Sequence, residues 1–199
     1  MTFRIEQKLN IHKTNLFYLK KWLISNNSKI LHPSRIISSI YYDNNNFDMY
    51  HQSIEGVLPR KKIRIRYYPN ESKKIFHIEK KISSVEGRFK EKILTNINLQ
   101  NIKGTILDKD YGICNPKILV TYKRDYHYLK NTRITIDTDI NFHKIFFNKI
   151  MKISKKSNKI AFELKNNINY PNDQLAKDFP FEIIRLSKYC DAVNSFSLS

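Results

Sequence analysis

The chain has 199 residues, in which 36 Lys and Arg against 18 Asp and Glu leave a formal charge of +18. Hydrophobic residues make up 41% and aromatic ones 13%, which excludes a disordered chain and suits one domain, residues 1–199, with a substantial core. The charge points to a polyanionic partner: nucleic acid, an anionic membrane or polyphosphate. Cys114 and Cys190 are too few for a disulfide framework and have no metal-ligand spacing, which fits a reducing cytoplasm. The start, Met1 to Glu6, has no apolar signal core, and no run approaches the ~18 apolar residues that span a bilayer.

Residues 3–10 alternate, with Arg4, Glu6 and Lys8 on one face and Phe3, Ile5 and Leu9 on the other. A helix follows, capped by Thr14, with Leu16, Leu19, Leu23 and Trp22 forming a core stripe and Lys20 and Lys21 turned away. Ile36 to Asp43 is a second strand, Asn44-Asn45-Asn46 a turn, and Phe47 to Gly56 a connection into Arg60-Lys61-Lys62-Ile63-Arg64-Ile65-Arg66-Tyr67. Pro69 to Ser72 turns the chain into a strand over Phe76–Ile82, and Ser83 to Gly87 turns it again into the alternating Arg88, Lys90 and Lys92. Residues 96–115 suit a loop or short helix. Strands follow at Lys117–Tyr126, at Arg133–Asp137 and, after a basic segment at 144–159, at Ile160–Lys165. The tail suits helices over Asp173–Phe179 and Phe181–Val193.

The basic strand poses the physical question. Arg60, Lys62, Arg64 and Arg66 share one face, where they repel each other unless anions lie opposite. Ile63, Ile65 and Tyr67 share the other, broken only by Lys61. Glu recurs with Lys or Arg at i, i+2 on several strands, which a sheet turning its charges simply to water does not explain. About eight strands joined by short turns predict a mainly antiparallel α+β fold. Eight are enough to close a β barrel, with the charged faces inward as a wet cationic tunnel and the apolar faces under flanking helices.

Arg4-x-Glu6-x-Lys8, Lys62-x-Arg64-x-Arg66, Glu79-x-Lys81, Tyr122-x-Arg124, Arg133-x-Thr135-x-Asp137, Glu163-x-Lys165 and Ser187-Lys188-Tyr189 follow one another in the order seen in a known family. The chain resembles the catalytic domain of the vacuolar transporter chaperone (VTC), a polyphosphate polymerase of the triphosphate tunnel metalloenzyme, or CYTH-like, superfamily. The resemblance implies a closed antiparallel tunnel that binds ATP and polyphosphate with a divalent cation, Mn2+ or Mg2+. Carried over position by position, Lys8, Lys62, Arg64, Arg66, Lys81, Arg124, Arg133 and Lys188 would form the catalytic cationic wall. Arg60, Tyr122, Lys165, Ser187 and one of Arg88 and Lys90 would bind substrate, and Glu163, with Glu6, would hold the metal. Arg4 stands where the superfamily's hydrolases often carry a first Glu, as in the polymerase branch. The accessory and membrane-spanning domains of the eukaryotic complex have no counterpart here, which leaves a membrane-protein partner and the oligomeric state open.

Two other functions compete. A tunnel triphosphatase needs a carboxylate-rich interior to hold metal and orient water, whereas the faces here are mostly cationic. A non-enzymatic nucleic-acid-binding module fits the basic segment at 144–159, but inward carboxylates would repel its phosphates. Sequence-specific nucleic-acid binding is not expected. Asp137 suits a turn before Thr138 as well as a metal role, and Glu79 with Lys81 suits a cross-strand ion pair. The six histidines are scattered without ligand spacing.

Overall fold

Alternation of apolar and charged side chains makes most of this chain strand. The structure, a computed structural model, describes residues 4–73, 75–95, 104–167, 181 and 186–198, with side chains for 11–73, 75–94, 104–165, 181 and 186–198. In chain order these form β1 (Arg4–His12), a 3-10 turn (Lys13–Asn15), α1 (Leu16–Ser25), β2 (Lys29–Asp43), α2 (Asp48–Glu55), β3 (Arg60–Tyr67), β4 (Phe76–Ser83) and β5 (Arg88–Thr95). There follow β6 (Ile106–Asp108), β7 (Gly112–Leu129), β8 (Thr132–Phe146), β9 (Lys149–Lys156), β10 (Lys159–Asn167) and α3 (Lys188–Phe196). The helix predicted over 173–179 lies outside the described residues.

The ten strands form a sheet in the order β1-β10-β8-β7-β2-β3-β4-β5, with β6 on β7 and β9 on β8. Among the described residues the pairings β1–β10, β10–β8, β2–β3, β3–β4, β4–β5, β6–β7 and β8–β9 are antiparallel, as expected. The closed eight-stranded barrel is not what the described residues form, because the hydrogen-bonded path has two ends, β1 and β5. At the β5 end Glu91, Lys92, Ile93 and Leu94 are all exposed. Charges on an edge strand oppose the addition of another strand.

The chain divides into two compact units, and β2, β7 and β8 contribute residues to each. The first comprises Met1–Arg35, Tyr122–Ile140 and Ser157–Leu186. Its core joins Leu19 and Leu23 of α1 to Ile11, Leu129, Ile134, Ile136, Ile160, Phe162 and Leu164, with Trp22 set edge-on to Phe162. The Leu/Trp stripe is therefore core, as expected. The cap is different: Thr14 lies in the 3-10 turn, where its amide donates to His12 Nδ1, and Asn15 precedes α1 without a side-chain cap. Because Ile134, Ile136, Phe162 and Leu164 face α1, period-2 alternation sends Thr135, Asp137 and Glu163 to the opposite face. Those three are buried as well.

The second unit comprises Ile36–Thr121, Asn141–Lys156 and Ser187–Ser199. Ile63 and Ile65 of β3 pack with Ile40 and Tyr42 of β2, Met49 of α2, Phe76, Cys114, Leu119 and Ile145. The segment 47–56, read from sequence as a connection, holds α2. Its first turn is capped from the end of β2, where Asp43 Oδ1 accepts from Met49 N at 3.1 Å and Oδ2 from Tyr50 N at 3.0 Å. Gly56, at φ +83°, ends the helix in the left-handed conformation that glycine adopts without strain. The final helix starts later than predicted, since Ser187 is its N-cap and its hydroxyl accepts from Cys190 N at 3.3 Å. No described helix is long and apolar enough to cross a membrane.

Lys61, the one cation on the apolar side of β3, is buried, and β6 explains how. Lys61 Nζ lies 2.7 Å from both Asp108 and Asp110, and Lys80 Nζ lies 2.9 Å from Asp108. Burial alone would raise the Asp108 carboxyl, but the hydrogen bonds from Lys61 and Lys80 bring it down to about 2 from an ordinary 3.8. The folded state therefore gains stability from Asp108 above its unfolded value and loses it as pH falls through the folded one. Asp108→Asn is expected to cost about 2 kcal/mol near neutral pH. In chemical denaturation the gap to the parent chain should shrink as pH falls from about 4 to about 2.

Candidate anion-binding faces

In the second unit the strand register assembles a cationic array. Lys62, Lys81 and Lys90 lie opposite one another on β3, β4 and β5, followed by the row Arg64, Glu79 and Lys92. On the other side of β3, Tyr41 of β2 pairs with Arg64 and Ser39 with Arg66. Directly opposed residues share a sheet face, so all of these project from one surface.

Glu79 sits at the centre of the array. Its Oε2 accepts from Arg64 Nε at 2.7 Å and lies 2.5 Å from Arg64 Nη2 and 3.7 Å from Arg66 Nη1, while Oε1 accepts from Lys90 Nζ at 2.5 Å. Arg64 and Arg66 are each 8% exposed and Glu79 2%, so little water screens these contacts. Burial pushes the Glu79 carboxyl up, but the charges of Arg64 and Arg66 and the Lys90 contact hold it far below the usual carboxylate range.

Both arginines are braced from β2. Arg64 Nη1 donates to Tyr41 Oη at 3.0 Å, and Arg66 Nε to Ser39 Oγ at 3.2 Å. Tyr41 in turn stacks on Tyr189 of α3 at 5.2 Å, and Tyr189 Oη donates to Asp43 Oδ2 at 2.6 Å. Burial raises the Tyr41 hydroxyl, yet the charges of Arg64, Arg66 and Lys188 bring it below its ordinary value, which locates Lys188 in the same positive field. Lys62 Nζ donates to Ser187 Oγ at 2.9 Å, so the cap of α3 also touches the array.

Two other predicted residues lie differently. Arg60 Nη1 donates to the carbonyls of Gly56 and Val57 at 3.2 and 3.1 Å, beside the end of α2. Of Arg88 and Lys90, both exposed, it is Lys90 that stands opposite Lys81 and touches Glu79, whereas Arg88 lies opposite Ser83.

The first unit carries a second polar face. Arg124 grips Asp137 with both sides of its fork, Nε to Oδ1 at 2.5 Å and Nη2 to Oδ2 at 2.7 Å, and its guanidinium lies 5.4 Å from the centre of the Tyr122 ring. Burial would weaken the hold of Arg124 on its proton, but Tyr122, Asp137 and Glu163 strengthen it well beyond the ordinary value. Asp137 is thus a buried mid-strand residue opposite Ala161 rather than a turn residue.

Glu163 stands between Lys8 on β1 and Thr135 on β8, and Lys165 between Glu6 and Arg133. The side chains of Glu6 and Lys8 lie outside the described residues. Glu163 Oε2 is 3.2 Å from Lys165 Nζ, and the exposed Arg133 lies 5.5 Å from the centre of the Tyr126 ring. Thr135 Oγ1, beside Glu163, is buried without a hydrogen-bond partner. Among the described residues no group of three His, Cys, Asp or Glu converges as a metal cage.

Sequence reasoning assigned no site role to Glu79, Tyr41, Ser39 or Tyr189, and left Asp137 between a turn and a metal role. Glu79 and Asp137 had a signal, since each lies within a charged i, i+2 motif. Tyr41 and Ser39 had none, because only the β2–β3 register places them beside the arginines. Replacing Glu79 with Gln should cost about 3 kcal/mol of stability, by leaving Arg64, Arg66 and Lys90 facing one another without their anion. Tripolyphosphate is then expected to raise the melting temperature of Glu79→Gln by more than it raises that of the parent chain. The carboxyl titrates at a depressed pKa, so the stability gap should stay constant down to about pH 5 and close only in stronger acid.

The VTC domain family matches residues 3–111 and 98–197 of the chain. Among solved structures, a putative adenylate cyclase from Bacillus halodurans is similar at a TM-score of 0.55 and 12% identity, over 100% of this chain and 91% of that one. A protein from Pyrococcus horikoshii OT3 is similar at a TM-score of 0.60 and 13% identity, over 96% of this chain and 99% of that one. A comparison with curated proteins gives no match. The chain shares the fold of these two structures, and with nearly its whole length matched it belongs to the VTC domain family.

Proposed function

We propose that the chain is a polyphosphate polymerase, which transfers the γ-phosphate of ATP to a growing polyphosphate chain held by cationic strand faces. The observation that carries this reading is the array around Glu79, in which two buried guanidinium forks and Lys90 share one carboxylate while Lys62 and Lys81 stand in the adjacent row of the same face. A surface of that composition retains a long anion. Phosphoryl transfer asks little covalent chemistry of a protein and relies on positioning and charge stabilisation. No Ser, Cys or His nucleophile is required.

The terminal phosphate oxygen of the chain attacks the γ-phosphorus, the bond to the β-phosphate oxygen breaks, and ADP departs with the negative charge. Arg64 and Arg66 suit this step, since a planar fork holds two phosphate oxygens at once. Lys62, Lys81, Lys90 and Lys188 add point charges that follow the phosphate as it moves. In the first unit, Arg124 is held extended by Asp137 and Tyr122, and Arg133 and Lys165 add charge beside it. Bound phosphate competes with Glu79 for the donors that Glu79 keeps in place in its absence.

A divalent cation fits the residues present. Glu163 is a buried carboxylate, and the unpartnered hydroxyl of Thr135 lies beside it on the same face. One carboxylate with phosphate and water oxygens is the usual way magnesium is held, and when bound the cation neutralises charge on the phosphates.

Incubation of the purified chain with ATP and Mn2+, assayed for polymer and for free phosphate, tests the reading. Polymer is the expected product, and free phosphate alone would favour a triphosphatase. The double variant Arg64→Ala/Arg66→Ala is expected to lose activity by at least about a hundredfold, as two charge-assisted contacts are removed. Glu163→Gln should raise the Mn2+ concentration needed for half-maximal activity by about tenfold. Turnover unchanged in both variants would overturn the assignment.

A further inference from the structure

The basic segment at 144–159, which the phosphate site does not absorb, contains a β-hairpin made by the end of β8 and by β9. Phe146 pairs with Lys149, so Phe147 and Asn148 form the two-residue turn, both with positive φ (43° and 57°). Such turns favour Asn-Gly, and a bulky aromatic in the left-handed region is an outlier that packing or function must justify. Packing does not justify it: Phe147 is 85% exposed and Phe146 52%, their rings touching only edge to face at 4.4 Å. Every residue of β9 is exposed, including Ile150, Met151 and Ile153. Over 141–156 there are five lysines (144, 149, 152, 155 and 156) and no acid.

We infer that this hairpin docks the protein on an anionic membrane surface, with Phe146 and Phe147 entering the boundary between headgroups and acyl chains. The lysines would then lie among the anionic headgroups, their stems along the apolar layer. Charge decides among the occupants. A second copy of a chain carrying +18 would bring lysine hairpin against lysine hairpin and be repelled. Nucleic acid satisfies the lysines but offers no apolar layer to Ile150, Met151 and Ile153. A membrane with anionic lipid satisfies both sets. The base of the hairpin is tied to α3, since Lys155 Nζ donates to the carbonyl of Ser195 and lies 5.3 Å from the centre of the Phe196 ring.

Co-sedimentation of the full chain with phosphatidylcholine vesicles, with and without phosphatidylglycerol, tests this independently of any turnover of ATP. Binding is expected only with phosphatidylglycerol and should weaken as salt is added. Phe147→Asn should weaken it by about tenfold while keeping or raising the melting temperature, because Asn suits the left-handed turn. Lys149→Glu/Lys152→Glu should weaken it by at least about tenfold. Equal binding to both vesicle types, or equal binding by the parent chain and Phe147→Asn, would overturn the inference. So would a concentration-dependent dimer that Phe147→Asn dissolves, or binding of single-stranded oligonucleotide in preference to vesicles.

Discussion

The second unit depends on one carboxylate among cations. β3 places Lys62, Arg64 and Arg66 on one face, and in a largely dry setting their repulsion grows as the effective dielectric falls. Glu79, delivered from β4 by an antiparallel register, answers that repulsion where it is strongest. Its four charged contacts come from the two flanking strands, β3 and β5, so the interaction also fixes the register, since a slip of one residue would send Glu79 to the apolar side. Lys62, Lys81 and Lys92 lie on the same face, and this composition is what the proposed anion site rests on.

A strand buried on both sides solves a packing problem that a half-exposed strand does not have. In β3, Ile63 and Ile65 enter a core covered by Met49 of α2, while Arg64 and Arg66 on the reverse are nearly as buried. The first unit repeats the scheme with α1 over Ile134, Ile136, Phe162 and Leu164, and with Asp137, Thr135 and Glu163 on the reverse. In each unit the helix lies on the apolar side and leaves the charged side to its own hydrogen bonds. Burial matters for the proposed chemistry, because a guanidinium already desolvated and braced, as Arg64 is by Tyr41 and Arg66 by Ser39, would meet a phosphate with little reorganisation.

The bracing residues join the site to the ends of the helices. Asp43 caps α2 and accepts from Tyr189 of α3, Tyr189 stacks on Tyr41, and Tyr41 accepts from Arg64. A substitution at Asp43 or Tyr189 would therefore act on the position of Arg64 without touching it. The unpartnered Thr135 hydroxyl belongs to a different class. A buried hydroxyl without a partner is costly, and its place beside Glu163 is the feature that the proposed cation site would use.

Period-2 alternation in the sequence determined the strands and which residues share a face, because side-chain direction along a strand is a local property of the backbone. Arg64 with Arg66, Tyr122 with Arg124, Ile134 with Ile136 and the Leu19/Leu23 stripe were all legible that way, and so was the antiparallel order implied by short connections. Tertiary structure alone decided which acid meets which cation, namely Glu79 with Arg64, Asp137 with Arg124, and Asp108 with Lys61. It also decided that β6 and β9 exist, that Arg60 turns to the end of α2, and that the hydrogen-bonded path does not close among the described residues. Register and strand order depend on contacts between residues far apart in the chain, and no local pattern encodes the distance across a sheet.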